Sequence, residues 1–319
     1  MAQRPFIDMH CDTLLRAENK DHSFLFDGDG MVSFQKMRQA GQMAQFFAVF
    51  FPPRITDDET FYAQRKNALF EQLRAHGDVI AQAKNYDDII QNASQHKLSA
   101  VLTIEDGRIV NGSFERLRHL YDDGVRAIAL TWNGENCFGA PNSADAVLMQ
   151  KGLTDFGKEA IAEMNRLGII VDVSHLSDGG FADVVALSHK PFVATHSNCR
   201  ALCNHQRNLT DTMIRQLAEK GGVVGLNFLP DFIVQKDCSQ EALLEAMVQH
   251  VLHGIAVGGE DCIALGTDFD GFKNDGRQPL NSSEKIPQLF HALHKAGLTE
   301  RQLDKCAKDN VLRVIRDVC

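Results

Sequence analysis

Histidine and carboxylate side chains recur where short apolar segments of this sequence end. His10 and Asp12 follow the first such segment, and because alternate side chains of a strand point to opposite faces, both project to one side while Cys11 points away. Glu105 ends a later segment in the same way. Three further segments end in the candidates His175, His196 and Asp268. Imidazoles and carboxylates without thiolates are a ligand set that suits Zn²⁺ or a similar divalent ion.

The number of these candidate ligands favours two metal ions per chain. More than four ligands exceed one tetrahedral shell, so a carboxylate would have to bridge two ions. Ions in such a site polarise a carbonyl oxygen and lower the pKa of a bound water to about 7, which favours hydrolysis. The chain has neither a Gly-x-Ser-x-Gly elbow nor a P-loop, so a serine nucleophile and phosphoryl transfer have no support. The other ten of the thirteen histidines have no such neighbours, and we interpret them as structural.

The elements that must position these residues alternate along the chain. Eight apolar segments of strand character occur at 6–9, 44–50, 100–104, 125–130, 169–173, 192–195, 223–228 and 263–266. Helical periodicity occurs at 60–76, 156–167, 181–188, 210–220, 241–256 and 299–316, the last with Thr299 as predicted N-cap. Eight strand–helix units predict a (β/α)₈ TIM-like barrel, with an open, doubly wound sheet as the alternative. The carboxyl ends of barrel strands are where such a fold carries its active site.

Composition places the chain among ordinary globular proteins. Hydrophobic residues make up 44% and charged residues 24%, and no linker-like stretch divides the sequence, which predicts one catalytic domain over 1–319. We expect longer loops near 18–35, 133–152 and 270–285. The net charge of −9 and the lack of a basic run argue against nucleic acid as a partner.

The same sequence argues against attachment to a membrane. It has no apolar stretch of about 18 residues and no signal-peptide pattern, so we expect a cytoplasmic protein without a membrane partner. Eight scattered cysteines without a Cys-x-x-Cys pair predict neither a disulfide framework nor a zinc ribbon.

The sequence also resembles the membrane dipeptidase family, or renal dipeptidase family, of binuclear zinc peptidases, and in particular its soluble microbial branch. The resemblance covers nearly the whole chain and rests on several motifs in order. They are DMHCDT at 8–13, TIEDG at 103–107, GLTDFG at 152–157, MNRLG at 164–168, VDVSH at 171–175, THSN at 195–198, QRN at 206–208, GTDFDG at 266–271 and NVLRV at 310–314.

The resemblance implies a metal centre and a reaction. His10 and Asp12 would bind one zinc, His175 and His196 the other, and Glu105 would bridge them. The implied reaction is hydrolysis of the peptide bond of a free dipeptide, including one with a D-residue at its carboxyl end, by a hydroxide that bridges the metals.

The resemblance also implies two residues that act on the substrate, and one departure from the family. Asp268 would activate the water and pass its proton to the leaving amine, and Arg207 would hold the terminal carboxylate. Where many relatives carry Leu-Thr-His after the fourth strand, this chain has Trp132 and Asn133. We therefore expect these two residues to contact the substrate, with the Asn133 amide as the donor to the developing oxyanion.

Two other functions stay open at this point. Another barrel amidohydrolase, acting on N-acyl amino acids or lactams, would keep the metals and change the pocket. A non-catalytic metal-binding protein would keep the ligands alone, but it would have no use for a proton shuttle such as Asp268. The sequence leaves a homodimer open.

Overall fold

The structure is a computed structural model that describes residues 4–19 and 23–319; the beginning of the loop expected at 18–35 lies partly outside these ranges. Within them the chain forms one sheet of nine strands, all paired in parallel. The strands are β1 Phe6–Cys11, β2 Gln42–Phe50, β3 Ile80–Gln82, β4 Leu98–Glu105, β5 Val125–Ala129, β6 Ile170–Asp172, β7 Val193–Ala194, β8 Val223–Leu226 and β9 Ile263–Leu265.

Eight of these strands close into a barrel. β2 pairs with both β1 and β4, each strand from β4 to β9 pairs with the next, and β9 pairs with β1. The strands therefore form a closed ring in the order β1, β2, β4, β5, β6, β7, β8 and β9. This closure confirms the predicted (β/α)₈ barrel and excludes the open sheet. The sequence missed β3, which pairs with the first three residues of β4 beside the barrel. β3 has only three residues, of which Ile80 alone is buried, so it lacks the apolar run that marks the other strands.

Helices surround the barrel. They are α1 Phe34–Ala40, α2 Asp58–Ala75, α3 Tyr86–Ser94, α4 Phe114–Asp122, α5 Ala146–Met149, α6 Asp155–Leu167, α7 Asp178–Leu187, α8 Asp211–Glu219, α9 Pro230–Ile233, α10 Gln240–Gly258, α11 Pro287–Lys295, α12 Glu300–Asp304 and α13 Asn310–Val318. Side-chain oxygens cap most of the long helices at their amino ends; Thr210, for example, accepts a hydrogen bond from the Met213 amide. In the part of the chain that the structure describes, no helix is both long and apolar enough to cross a membrane.

The prediction of one continuous α-helix over 299–316 is wrong for residues 305–309. Thr299 does cap α12 with a capping box, but a π-helical turn at Lys305–Asp309 separates α12 from α13. After this wider turn Asn310 is buried, and its amide donates to the carbonyls of Glu260 and Ile263, each at 2.9 Å. The loops expected at 133–152 and 270–285 also contain short structure, namely α5 and a 3₁₀ turn at Ser283–Lys285.

The interior of the barrel is apolar at one end and polar at the other. Every barrel strand contributes a residue to one buried cluster, such as Ile7 of β1, Val101 of β4 and Val223 of β8, and α13 packs against it through Val311 and Ile315. These residues fill the end of the barrel where the strands begin. The carboxyl ends of the strands are therefore left to carry the polar side chains described next.

Candidate active site

Glu105 is the centre of a buried cluster at the carboxyl end of the barrel. It is the last residue of β4 and is 2% exposed. Its Oε1 lies 2.9 Å from His175 Nε2 and 3.4 Å from His196 Nε2, and these two nitrogens are 3.1 Å apart. Its Oε2 lies 3.4 Å from His10 Nε2. The two oxygens of one carboxylate thus face two separate groups of ligand-type atoms.

His10 belongs to the second group and faces three carboxylates. Besides Glu105, its Nε2 lies 3.7 Å from Asp12 Oδ1 and 3.8 Å from Asp268 Oδ1. The His10 ring stacks on the ring of His196 with centroids 3.8 Å apart. All six side chains that the sequence placed at strand ends are therefore brought together.

The arrangement fits a metal ion. In three sets the potential ligand atoms all lie within 4.8 Å of one another: His10, Asp12 and Glu105; Glu105, His175 and His196; and His10, His196 and Asp268. His10 Nε2, Asp12 Oδ1 and Glu105 Oε2 are buried without a hydrogen-bond partner. Buried polar atoms are rarely left unpaired, and a cation bound between these atoms would satisfy them.

Burial and mutual contact shift the pKa values of these groups in opposite directions. Burial, reinforced by Glu105, raises the pKa of Asp12 well above its ordinary value. Burial opposes the charge on His10, but Glu105 and Asp12 outweigh it and raise the His10 pKa. Burial lowers the pKa of His175 to about 4, and lowers that of His196 as well. His175 and His196 are therefore neutral at neutral pH, which is the form that binds metals. The surroundings of His10 instead favour its protonated, positively charged form.

Asp268, like Asp12, has a raised pKa. Burial is the main cause that raises its pKa to about 6. Its Oδ2 accepts a hydrogen bond from Asn227 Nδ2 at 2.9 Å, which leaves Oδ1 towards His10. A carboxyl group with a pKa close to neutral is suited to accept and return a proton.

Two residues of the cluster have strained backbones. His175 and Asp268 have positive φ angles of 67° and 62°, a region that residues other than glycine rarely occupy. The His175 carbonyl is held by Thr131 Oγ1 at 3.1 Å, and by the backbone and side-chain nitrogens of Asn142 at 2.7 and 2.9 Å. The surrounding structure thus maintains a conformation that turns the imidazole into the cluster.

Arg207 lies between β7 and α8 and is 4% exposed. Its Nη1 donates to Ser197 Oγ at 2.9 Å, while Nε and Nη2 are buried without a hydrogen-bond partner. Burial lowers its pKa. Because Nε and Nη2 form one edge of the guanidinium plane, they are arranged to donate in parallel to one carboxylate.

Trp132 and Asn133 follow β5 and differ in their surroundings. The Trp132 ring is half-buried, 4.9 Å from the ring of Phe50 and 6.3 Å from that of His175. Asn133 is exposed, and its side chain makes no hydrogen bond within residues 4–19 and 23–319. Trp132 therefore borders the cluster, whereas Asn133 is exposed at the next position along the chain.

Sequence reasoning missed the polar residues that support the cluster. Asp8 and Asp172 are buried on β1 and β6, and they bind Thr267 and Thr195 of neighbouring segments. Asn227, after β8, holds Asp268. One signal was available, because a threonine directly precedes a cluster residue in both Thr195-His196 and Thr267-Asp268.

The remaining histidines lie apart from this cluster. Within the described ranges, the groups able to hold a metal include no histidine besides the three already named. His250, for example, is buried and binds the Cys199 amide and the Ile233 carbonyl. His22 lies outside the described residues.

Comparison with known proteins identifies the family to which this chain belongs. Residues 1–319 match the membrane dipeptidase family, peptidase family M19. The chain belongs to this family. An uncharacterized dipeptidase of Schizosaccharomyces pombe is 32% identical over 97% of this chain and 79% of its own length. The resemblance inferred from the motifs is thereby confirmed, and the chain is a metallopeptidase of the dipeptidase type.

Solved structures of M19 dipeptidases and related enzymes confirm the fold. Dipeptidase AC, an M19 metallopeptidase, superposes with a TM-score of 0.88 at 26% identity, covering 99% of both chains. A metallopeptidase from Rhodobacter sphaeroides, solved with a phosphinate mimic of the dipeptide L-Ala-D-Ala, has a TM-score of 0.86 at 26% identity and covers 99% of this chain and 100% of that one.

Proposed function

We propose that this membrane dipeptidase family member is a binuclear zinc dipeptidase, with 1–319 as one catalytic domain. The observation that carries the proposal is the position of Glu105, whose two carboxylate oxygens face two groups of buried ligand-type atoms. His10 and Asp12 would hold one ion, His175 and His196 would hold the other, and the Glu105 carboxylate would be shared between them.

Zinc agrees with the donor set, which contains imidazole and carboxylate groups and no thiolate. When bound, two zinc ions would polarise the scissile carbonyl and lower the pKa of a water molecule to near neutrality. The chain itself keeps His175 and His196 neutral through burial, and it gathers the carboxylates of Asp12 and Glu105 as compensating negative charge.

Asp268 and Arg207 act on the substrate. The Asp268 carboxylate accepts a proton from the attacking water and returns it to the leaving amine, a role supported by its pKa of about 6 and by its place at the edge of the cluster. Arg207 binds the terminal carboxylate of a free dipeptide through Nε and Nη2, which have no hydrogen-bond partner among the described residues.

Trp132 and Asn133 complete the pocket. Trp132 forms a wall against the substrate beside His175, and the free Asn133 amide donates to the oxyanion. We propose that a D-residue is accepted at the carboxyl end of the dipeptide, by analogy with the Rhodobacter enzyme that binds a mimic of L-Ala-D-Ala. We also propose a cytoplasmic location, since all eight cysteines are free, as is usual in a reducing compartment.

Metal analysis tests the centre. After removal of metal and reconstitution with excess zinc, the parent should hold two equivalents, and Glu105→Gln should lose affinity for both ions because one carboxylate serves both. Glu115→Gln, an exposed glutamate on α4, is the matched control and should hold two. Well under one equivalent in the parent would refute a binuclear centre.

A substrate panel tests the reaction. The zinc-loaded enzyme should hydrolyse L,L- and L,D-dipeptides, and it should act poorly on N-acetylated dipeptides. Equal rates on acetylated and free substrates would instead identify an amidohydrolase of N-acyl amino acids.

A further inference from the structure

The buried carboxylate of Asp172 and the hydroxyl of Thr195 form a chain of contacts that ends at His196. Asp172, the last residue of β6, is 2% exposed, and its Oδ1 accepts the backbone amides of Ser174 and Thr195, each at 2.9 Å. Its Oδ2 accepts a hydrogen bond from the Thr195 hydroxyl. The same hydroxyl oxygen lies 2.8 Å from Nδ1 of His196. Asp172 thus reaches the imidazole through Thr195.

Counting protons along this chain of contacts fixes the tautomer of His196. A threonine hydroxyl has one hydrogen, and Thr195 gives it to Asp172. Towards His196 the oxygen can therefore only accept, so Nδ1 must carry the proton. Nε2 is left with its lone pair, and it faces Glu105 Oε1 at 3.4 Å and His175 Nε2 at 3.1 Å. A metal binds an imidazole nitrogen through such a lone pair.

The other histidine of this group has no such support. Nδ1 of His175 is buried without a hydrogen-bond partner, and its orientation depends on the strained backbone at φ 67°. Only one histidine of the pair therefore has its tautomer set by a partner.

A second pair of residues repeats the arrangement without an imidazole. Asp8 of β1 accepts the Thr267 amide at 2.9 Å, the Thr267 hydroxyl at 2.7 Å and the amide two residues further along its own strand at 3.3 Å. Asp172 makes the same three kinds of contact. The residue after Thr267 is Asp268 rather than a histidine, so this pair is a natural control.

We propose that Asp172 and Thr195 are positioning residues that hold His196 as the Nδ1–H tautomer, with Nε2 directed at the metal centre. The link to metal binding rests on the proposed function, whereas the tautomer itself does not. Partners behind a metal-binding histidine fix its ring and raise its basicity, and their loss typically lowers metal affinity about 10- to 100-fold.

The tautomer is measured first, by NMR of the metal-free enzyme with ¹⁵N-labelled histidine, taking the His196 signals as those missing from His196→Gln. The parent should carry the proton on Nδ1. In Asp172→Asn the amide oxygen must stay with the two backbone amides, so the amide nitrogen donates to Thr195. The freed hydroxyl then donates to His196 Nδ1 at 2.8 Å rather than to the Ser174 hydroxyl at 3.3 Å, because the shorter contact makes the stronger hydrogen bond, and the imidazole proton should move to Nε2. A purely structural role would not move this proton.

Metal affinity is measured second, by competition with a chelator. Thr195→Val should weaken binding of one zinc by about 10- to 100-fold, and Thr195→Ser, which keeps the hydroxyl, should restore affinity. Thr267→Val removes the equivalent hydroxyl from the second pair, which contacts the His10 carbonyl but no imidazole nitrogen, and it should weaken zinc binding less than Thr195→Val does. Thermal unfolding of each variant checks that the fold persists.

The outcomes separate the two proposals. A proton on Nε2 in the parent, or an unchanged tautomer in Asp172→Asn, overturns the positioning role whatever the enzyme binds. Equal losses of affinity in Thr195→Val and Thr267→Val overturn its specificity for His196. An enzyme that binds no zinc refutes the proposed function, while the NMR measurement still decides the tautomer.

Discussion

Replacement of Arg207 by alanine tests how the pocket recognises its substrate. One nitrogen of the guanidinium is held by Ser197 at 2.9 Å, while Nε and Nη2 have no partner although the side chain is only 4% exposed. A buried cation with one free edge is expected to bind an anion of matching shape. In a free dipeptide the terminal carboxylate is that anion.

The size of the effect follows from these two free donors. Hydrogen bonds to charged groups contribute about 1.5–3 kcal/mol, and the two N–H groups act on one carboxylate as a single bidentate contact. Since 1.4 kcal/mol corresponds to a factor of ten, Arg207→Ala should lower kcat/KM for free dipeptides by about 10- to 150-fold. Arg207→Lys should recover only part of this loss, because an ammonium group cannot donate in a planar fork.

The assay compares each free dipeptide with its amide. The parent should prefer the free acid, and Arg207→Ala should lose that preference because its rate on the amide changes little. Arg200→Ala is the control in the same loop, since Arg200 already binds Asp178 through both terminal nitrogens, at 2.8 and 2.9 Å. It should affect both substrates alike. If Arg207→Ala also lowers both rates equally, Arg207 is structural and the reasoning fails.

Further substitutions and a pH series test the rest of the site. Asp268→Asn should keep both zinc ions and lower turnover by about 10²- to 10⁴-fold; loss of one zinc equivalent would make Asp268 a ligand instead. Asn133→Ala should lower kcat by about 10-fold or more, towards the 10²–10³ that an oxyanion donor contributes elsewhere, and a silent variant would refute that role. Trp132→Ala should change the preferred substrate side chains at constant metal content, measured on a dipeptide panel. Because the pKa values of His10 and Asp12 are raised in the metal-free enzyme, protons compete with zinc there. Zinc affinity should therefore fall as the pH falls, and an affinity independent of pH would contradict this.

Most of the fold could be predicted from the sequence because the strands of a barrel are buried on both faces. β4 and β8 are buried along their whole length and mostly apolar, and the helices between strands carry regular periodicity and capping residues. β3 escaped because it has three residues and one buried side chain. The sequence also did not predict the π-helical turn at Lys305–Asp309. Asn310, which follows this turn, binds carbonyls about fifty residues away in sequence, and local periodicity does not report such a tertiary contact.

The candidate metal cluster could be predicted for the same geometric reason. Parallel strands end on one face of a barrel, so a His or carboxylate at each end must meet its neighbours. The position of Arg207 could not be predicted in this way, because Arg207 lies in a loop whose path depends on contacts such as that with Ser197. The supporting role of Thr195 was equally hidden, because it depends on which atom its single hydroxyl proton faces.

The division between strands and loops has a functional consequence. Glu105 and His10 lie within strands, and His196 follows β7 after one residue, so the barrel itself fixes the position of these three groups proposed to hold metal. Arg207 and Trp132, proposed to bind the substrate, lie on connecting segments instead. Loops change more readily than the strands of a closed barrel. Relatives of this chain should therefore share the metal cluster and differ in the dipeptides that they accept.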